Sequence, residues 1–235
     1  MNKATFFFLL LLFATVLPGV AADAPRPNIL WITSEDNSPL LGCYGDSLAK
    51  TPNLDKLAAQ GVRYRRAFSN APVCSVARTT LITGMYAPTL GMQNHRSNVA
   101  IPAAFRLYPQ YLREAGYYCS NNSKTDYNVT GAEGKKIWDE SSKKAHYQNR
   151  KKDQPFFAVF NFTYSHESQV APKPGKTKFR ISPEQIPLPP YHPDTPEIRN
   201  DWANYYDQMT LMDSQAGAIL DELEKAGLAD DTIIF

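Results

Sequence analysis

An α/β fold, with a mainly parallel central sheet flanked by helices, is predicted by three observations. Short, almost wholly apolar runs stand at Asn28–Thr33, Phe156–Phe162 and Thr232–Phe235, as expected of strands buried on both faces. Stretches with helical start and stop signals and an apolar stripe alternate with them. The chain is 235 residues long and 43% hydrophobic, enough for one large domain or two small ones around a buried core.

The elements follow in order. Residues 1–22 carry Lys3, the unbroken apolar run Phe6–Phe13, Pro18-Gly19 and the small residues Val20-Ala21-Ala22. That is the layout of a cleaved signal peptide, and the run is too short for a membrane anchor. The protein is therefore expected to be exported, periplasmic or extracellular, with residues 23–235 as its folded portion. Asn28–Thr33 reads as the first strand. Thr51-Pro52 supplies an N-cap and a Pro at the first helical position, Leu54, Leu57 and Ala58 an apolar stripe, and Gly61 a stop. A short helix is expected from Pro109 to Ala115, ended by Gly116. After the strand at Phe156–Phe162 comes a proline-rich stretch, Pro172–Pro196, read as a long irregular connection. The longest helix is predicted from Ile198 to Ala226, with Trp202, Tyr205, Met209, Met212, Ala216, Ile219 and Leu223 on one stripe and Gly227 ending it. The last apolar run stops with the sequence. A domain seldom finishes inside a core strand, so the chain is expected to be the N-terminal portion of a catalytic domain, truncated before its sheet is complete.

Composition excludes some functions. Charged residues at 20% and aromatics at 12% rule out a disordered or collagen-like chain. Twenty-five Lys and Arg against 23 Asp and Glu, scattered along the chain, leave no nucleic-acid footprint. No segment after the leader is long and apolar enough to span a bilayer. Three cysteines, Cys43, Cys74 and Cys119, cannot close into a disulfide framework, so at least one thiol is left over.

In parallel α/β folds ligands gather beyond the carboxyl ends of the strands. The first strand runs into Ser34-Glu35-Asp36-Asn37. Glu35 and Asp36 are adjacent hard oxygen donors suited to Ca²⁺ or Mg²⁺, or else acids of a solvated loop. Further on, Cys74 is followed by Arg78. If Cys74 opens a helix, Arg78 stands one turn away on the same side, over a helix N-terminus that favours an anion. Such a place suits a sulfate or phosphate ester, although Cys-x₃-Arg also arises by chance.

Several segments together resemble the formylglycine-dependent sulfatases of the alkaline-phosphatase-like superfamily: Arg26–Leu30, Gly42-Cys43-Tyr44-Gly45, Thr51–Asp55, Cys74–Gly84, Gly116-Tyr117-Tyr118 leading to Lys124, Pro155-Phe156-Phe157 leading to His166, and Asp230-Asp231-Thr232. They run in order across residues 26–235. Gly91–His95 and Pro193–Pro196 are most similar to the branch acting on heparan-type N- or O-sulfated sugars. The resemblance implies that Cys74 is converted to formylglycine by a formylglycine-generating enzyme, and that the product, beside a metal, attacks the sulfur of a sulfated carbohydrate. It implies metal ligation by Glu35, Asp36 and residue 74, with Ca²⁺ or Mg²⁺ as the ion. Arg78 then holds the nucleophile, while Lys124 and His166 clamp the sulfate and protonate the leaving oxygen. The chain departs from the family at three places. Val76 replaces the usual Pro or Ala, Asp126 stands where His usually follows the Lys by two residues, and Glu35 replaces a commoner Asp. By the same resemblance, the remaining metal ligands and a further sulfate-binding Lys would lie beyond Phe235, leaving this chain part of a metal site. His95 is a candidate substrate contact or a solvated loop histidine. Asp213 reads as a buried hydrogen-bond anchor. The basic residues Lys143-Lys144, Arg150-Lys151-Lys152 and Lys173/Lys176/Lys178 read as a solvated face, and the sequons at Asn121, Asn128 and Asn161 as chance. The reading is a secreted sulfuric-ester hydrolase, of which these 235 residues alone are expected to be inactive. Phosphate or phosphonate ester hydrolysis on the same scaffold, or glycan binding without catalysis, are the alternatives.

Overall fold

Five strands, all paired in parallel, form one sheet in the order β3-β2-β4-β1-β5. The computed structural model describes residues 26–130, 137–173, 175–176 and 178–235; residues 1–22, expected to be a signal peptide, lie outside them. The strands are β1 Asn28–Thr33, β2 Tyr118–Asn122, β3 Glu140–Ser141, β4 Phe156–Asn161 and β5 Thr232–Ile234. The helices are α1 Pro52–Gln60, α2 Cys74–Thr83, α3 Tyr108–Glu114 and α4 Pro196–Lys225. The predicted elements are thus present, each within a few residues of its expected limits.

Strand alternation explains the layering. In β4, Phe157 and Val159 face one layer and Phe156, Ala158 and Phe160 the other. The first layer holds Val76 and Ile82 of α2, Leu107, Cys119 and Trp138. The second holds Leu30 with Tyr205, Met209, Met212, Ala216 and Leu223 of α4, the stripe expected from the sequence. Burying each such large side chain contributes about 1.5–3 kcal/mol, which fixes the register of β1 on β4 from Ile29↔Phe157 to Thr33↔Asn161.

Two strands, β2 and β3, were not expected. β2 reads Tyr-Cys-Ser-Asn-Asn and lacks an apolar run, yet it is mostly buried. Its polar side chains are satisfied within the fold. Asn121 Nδ2 donates to Ser141 Oγ at 3.0 Å, and Asn122 Nδ2 donates to the carbonyls of Lys143 and Ala145 at 3.1 Å each. Paired amides make an otherwise costly buried strand acceptable.

Thr51 does not cap α1 with its side chain. Its hydroxyl accepts from the Gly42 N–H and donates to Asp55. The helix start is held instead from α4, where buried Asp213 accepts from the N–H groups of Asn53 and Leu54 and from Asn53 Nδ2. Asp213 is thereby the structural anchor expected of it. Gly217, one turn on, has no room for a Cβ against the Asn53 side chain, so only glycine lets α1 and α4 approach this closely.

Candidate active site

The carboxyl end of β1 and the start of α2 open onto one cleft of about 540 Å³, lined by Glu35, Asp36, Cys74 and Arg78 among others. Each reaches it for a local reason. β1 ends at Thr33, and Glu35 turns inward, where its backbone N–H donates to the buried Ser165 hydroxyl at 3.1 Å. Asp36 takes a left-handed backbone, φ 50°, and faces outward. Cys74 is the first residue of α2, after an extended Val73 that offers no side-chain cap. The first N–H groups of that helix therefore point, uncapped by any side chain, toward the cleft with the positive end of the helix dipole.

The Glu35 carboxylate is the electrostatic centre of the site. Its side chain is 4% exposed. Arg78 donates to its Oε1 from Nε at 3.2 Å and Nη2 at 2.6 Å. Lys124 Nζ straddles both oxygens, at 2.8 and 2.9 Å. The third guanidinium nitrogen, Arg78 Nη1, donates to Asn161 Oδ1 at 2.7 Å, and that oxygen also accepts from the Thr33 hydroxyl. Asn161 Nδ2 donates back to Asn121 Oδ1 and the Asn122 carbonyl. Two cations are thus locked side by side by one buried anion and one amide.

His166 stands near Asp36, its Nε2 3.9 Å from Oδ2. The N–H of Ser168 donates to His166 Nδ1 at 3.1 Å, which leaves the ring proton on Nε2, toward the cleft. Asp36 Oδ2 also accepts the N–H of Glu167 at 2.9 Å. His95 and Asp126 are linked to the first turn of α2 through Ser75 and Arg96. His95 Nδ1 shares a 2.7 Å hydrogen bond with Ser75 Oγ, which also accepts the N–H of Arg96. The Arg96 guanidinium pairs with Asp126 at 3.2 and 3.4 Å, and that carboxylate holds it above its ordinary pKa.

Of the eight residues singled out from the sequence, Glu35, Asp36, Cys74 and Arg78 line the cleft, Lys124 and His166 approach Glu35 and Asp36 directly, His95 reaches Ser75, and Asp126 is joined to Ser75 only through Arg96. Sequence reasoning missed Asn161, Ser165, Ser75 and Arg96. Asn161 carried a signal, since it closes β4 in register with Thr33 of β1, at the strand end where ligands collect. The other sequon residues, Asn121 and Asn128, are fully buried and hydrogen-bonded.

The donors suit a hard divalent cation in kind: two carboxylates at one cleft edge beside residue 74. In number they are few. Among the described residues no group of three or more His, Cys, Asp and Glu side chains converges, and Glu35 already has two cations on it. Among these residues, too, no helix is long and apolar enough to cross a membrane.

A model of the sulfatase family matches residues 27–235. An ulvan-active sulfatase of Formosa agariphila is 37% identical over 256 residues, covering 89% of this chain and 43% of that protein. Human N-sulphoglucosamine sulphohydrolase is 26% identical, covering 92% of this chain and 50% of its own. The chain spans about half the length of these curated relatives. Among solved structures, the phosphonate monoester hydrolase of Agrobacterium radiobacter superposes with a TM-score of 0.70 at 20% identity, over 89% of this chain and 61% of that one. A 2-O GAG sulfatase superposes with a TM-score of 0.68 at 16% identity, over 89% and 57%. These likenesses show the mainly parallel α/β fold that the sequence predicted.

Proposed function

Because the chain belongs to the sulfatase family, we propose that it supplies the nucleophile half of an exported sulfuric-ester hydrolase acting on a sulfated carbohydrate. The observation that carries the reading is the convergence of Cys74, at the positive end of α2, with Arg78 and Lys124 on buried Glu35. Named relatives act on ulvan and N-sulphoglucosamine, which supports a sulfated polysaccharide as the substrate class.

In this reading Cys74 is oxidised to formylglycine by a formylglycine-generating enzyme and is hydrated at rest. One geminal hydroxyl attacks sulfur and releases its proton to water as the S–O bond to the sugar breaks, and the departing alkoxide takes the His166 Nε2 proton. The second geminal hydroxyl then gives its proton to a base, for which Asp126 is the candidate. The aldehyde re-forms as the C–O bond to sulfate breaks, and addition of water to it, with return of a proton to His166, restores the hydrate with which the cycle began. Arg78 and Lys124 stabilise the negative charge gathering on the transferring group, pre-aimed by Glu35 rather than recruited from water. Glu35 and Asp36 with residue 74 would hold Ca²⁺ or Mg²⁺, whose contribution when bound is to polarise the sulfate oxygens. His95, hydrogen-bonded to Ser75 in the first turn of α2, is the candidate contact to the sugar or its sulfate.

The likeness to a phosphonate monoester hydrolase favours one rival, since two cations beside a nucleophile suit a phosphoryl group equally. Turnover of matched aryl sulfate and aryl phosphate, in the full-length protein and in its Cys74→Ala variant, separates the two. Cys74-dependent release of sulfate in preference to phosphate is expected; preference for phosphate would reassign the substrate.

A further inference from the structure

A second pocket adjoins the cleft and has no part in the chemistry above. It measures about 220 Å³ and is walled by Asp36 on the cleft side, then by His192, Asp201, Trp202 and Tyr205, with Val170 and Ile198 completing it. Asp36 belongs to both cavities, so a ligand extended beyond a sulfate held at Cys74 would run into this space.

Its walls are aromatic and fixed. Trp202 Nε1 donates to His192 Nδ1 at 2.9 Å, which pins the indole plane. Tyr205 meets the indole edge-on, with centroids 5.6 Å apart at 73°, and its hydroxyl accepts the Ser38 N–H. His192 packs obliquely on the indole at 5.8 Å, and Tyr191 stands perpendicular to His192 at 4.8 Å. Rings held this way offer a preformed π-face, negative at its centre, to the C–H groups of a flat partner. Among the described residues lining the pocket none is Lys or Arg. The nearby cations are already committed, Arg199 to Asp194 and Lys176 to Asp207. Asp201 contributes a carboxylate that accepts hydroxyl hydrogen bonds and repels anions. The volume is below the roughly 300 Å³ at which pockets for drug-sized ligands begin, so it suits a single ring rather than an oligomer.

We propose that this pocket is a subsite for one uncharged pyranose ring adjoining the sulfated sugar, with the Trp202 indole as its stacking platform and Asp201 as the acceptor for its hydroxyls. The assignment rests on the sulfated-carbohydrate reading of the neighbouring cleft. It sets specificity by position: a sulfate is taken at Cys74, while a sulfate or uronate on the neighbouring ring is rejected by Asp201.

Binding is tested by titrating the native protein with methyl β-xyloside, methyl β-glucuronide and methyl glucoside 6-sulfate, reading tryptophan fluorescence and calorimetric heat in parallel. Xyloside should quench saturably, and glucuronide should bind at least about tenfold more weakly, a difference of about 1.4 kcal/mol. Trp202→Phe should weaken xyloside binding severalfold. Since Trp202 also packs against the core, Asp201→Lys, on the pocket rim, gives the independent check: it should reverse the preference toward glucuronide. Equal binding of the two glycosides in the native protein, or an unchanged preference in Asp201→Lys, would overturn the subsite. Aryl sulfate has no second ring and needs no such pocket. Loss of the subsite signal with aryl sulfate turnover intact therefore refutes this inference alone. Absence of aryl sulfate turnover in the full-length protein, with the glycoside preference intact, refutes the cleft reading instead.

Discussion

Glu35→Gln isolates the role of the buried carboxylate. The substitution keeps the side-chain shape and removes the charge on which Arg78 and Lys124 converge. Their side chains are only 11% and 21% exposed, so water does not replace the lost partner. Breaking a buried ion pair from one side costs about 3–5 kcal/mol. The amide oxygen still accepts one hydrogen bond and Lys124 retains some access to solvent, which places the expected loss near the lower end, about 3 kcal/mol. Against a total stability of about 5–15 kcal/mol that is a large fraction. Urea unfolding in EDTA, which removes any contribution from bound metal, measures it. The two uncompensated cations should also become an anion site: sulfate at about 100 times its Kd adds about 2.7 kcal/mol to a protein that binds it only when folded. Sulfate should therefore stabilise Glu35→Gln more than the native protein, and Lys124→Met placed on Glu35→Gln should recover part of the loss. A cost below about 1 kcal/mol, or equal protection of both proteins by sulfate, would refute the claim that Glu35 organises the two cations.

Three further outcomes follow from the fold. Asp213→Ala strips the start of α1 of its acceptor and should cost about 2–3 kcal/mol in urea unfolding, with Gly217→Ala also destabilising through its clash with Asn53; unchanged midpoints would contradict the α1–α4 contact. Burial pushes the Cys119 thiol from 9.0 up to about 12, so the unfolded chain loses that proton first and stability should fall as pH rises above 9. Cys119→Ala should flatten that limb, and an identical alkaline profile would exclude the effect. Burial, opposed by Glu222, lowers the His146 imidazole below 6.5. The unfolded chain therefore takes the proton first, and stability should be lost as pH falls through 6.5 and below. His146→Phe should remove this acid dependence, and its persistence would place the cause elsewhere.

Much of this arrangement is readable in the residues, and what is not has identifiable causes. The apolar runs of β1, β4 and β5 and the stripe of α4 announce themselves because burial on a fixed period leaves few alternatives. β2 does not, because its buried Ser and Asn side chains are satisfied by partners such as Ser141, Lys143 and Ala145, which sequence proximity cannot reveal. Thr51 illustrates the opposite error: the local N-cap signal is real, but Asp213, some 160 residues away, takes the task while the threonine hydroxyl ties Gly42 to Asp55. At the site, residue identity pointed to Glu35, Asp36, Cys74 and Arg78. It did not show that Glu35 sits between Arg78 and Lys124, since that depends on the ends of β1 and β2 converging on α2, nor that Asn161 completes the cluster.

The central claim is that Cys74 becomes the nucleophile, and the most direct measurement is the chemical state of that residue. The protein is co-produced with a formylglycine-generating enzyme, and the peptide spanning Pro72–Arg78 is analysed by mass spectrometry with and without a hydrazine probe. Formylglycine at position 74, trapped by the hydrazine and absent in Arg78→Ala only if that residue also directs modification, is the predicted state of the native peptide. An intact Cys74 thiol in folded native protein, made beside an enzyme that modifies a control sulfatase in the same cells, would contradict the account and leave a glycan-binding relative without this chemistry.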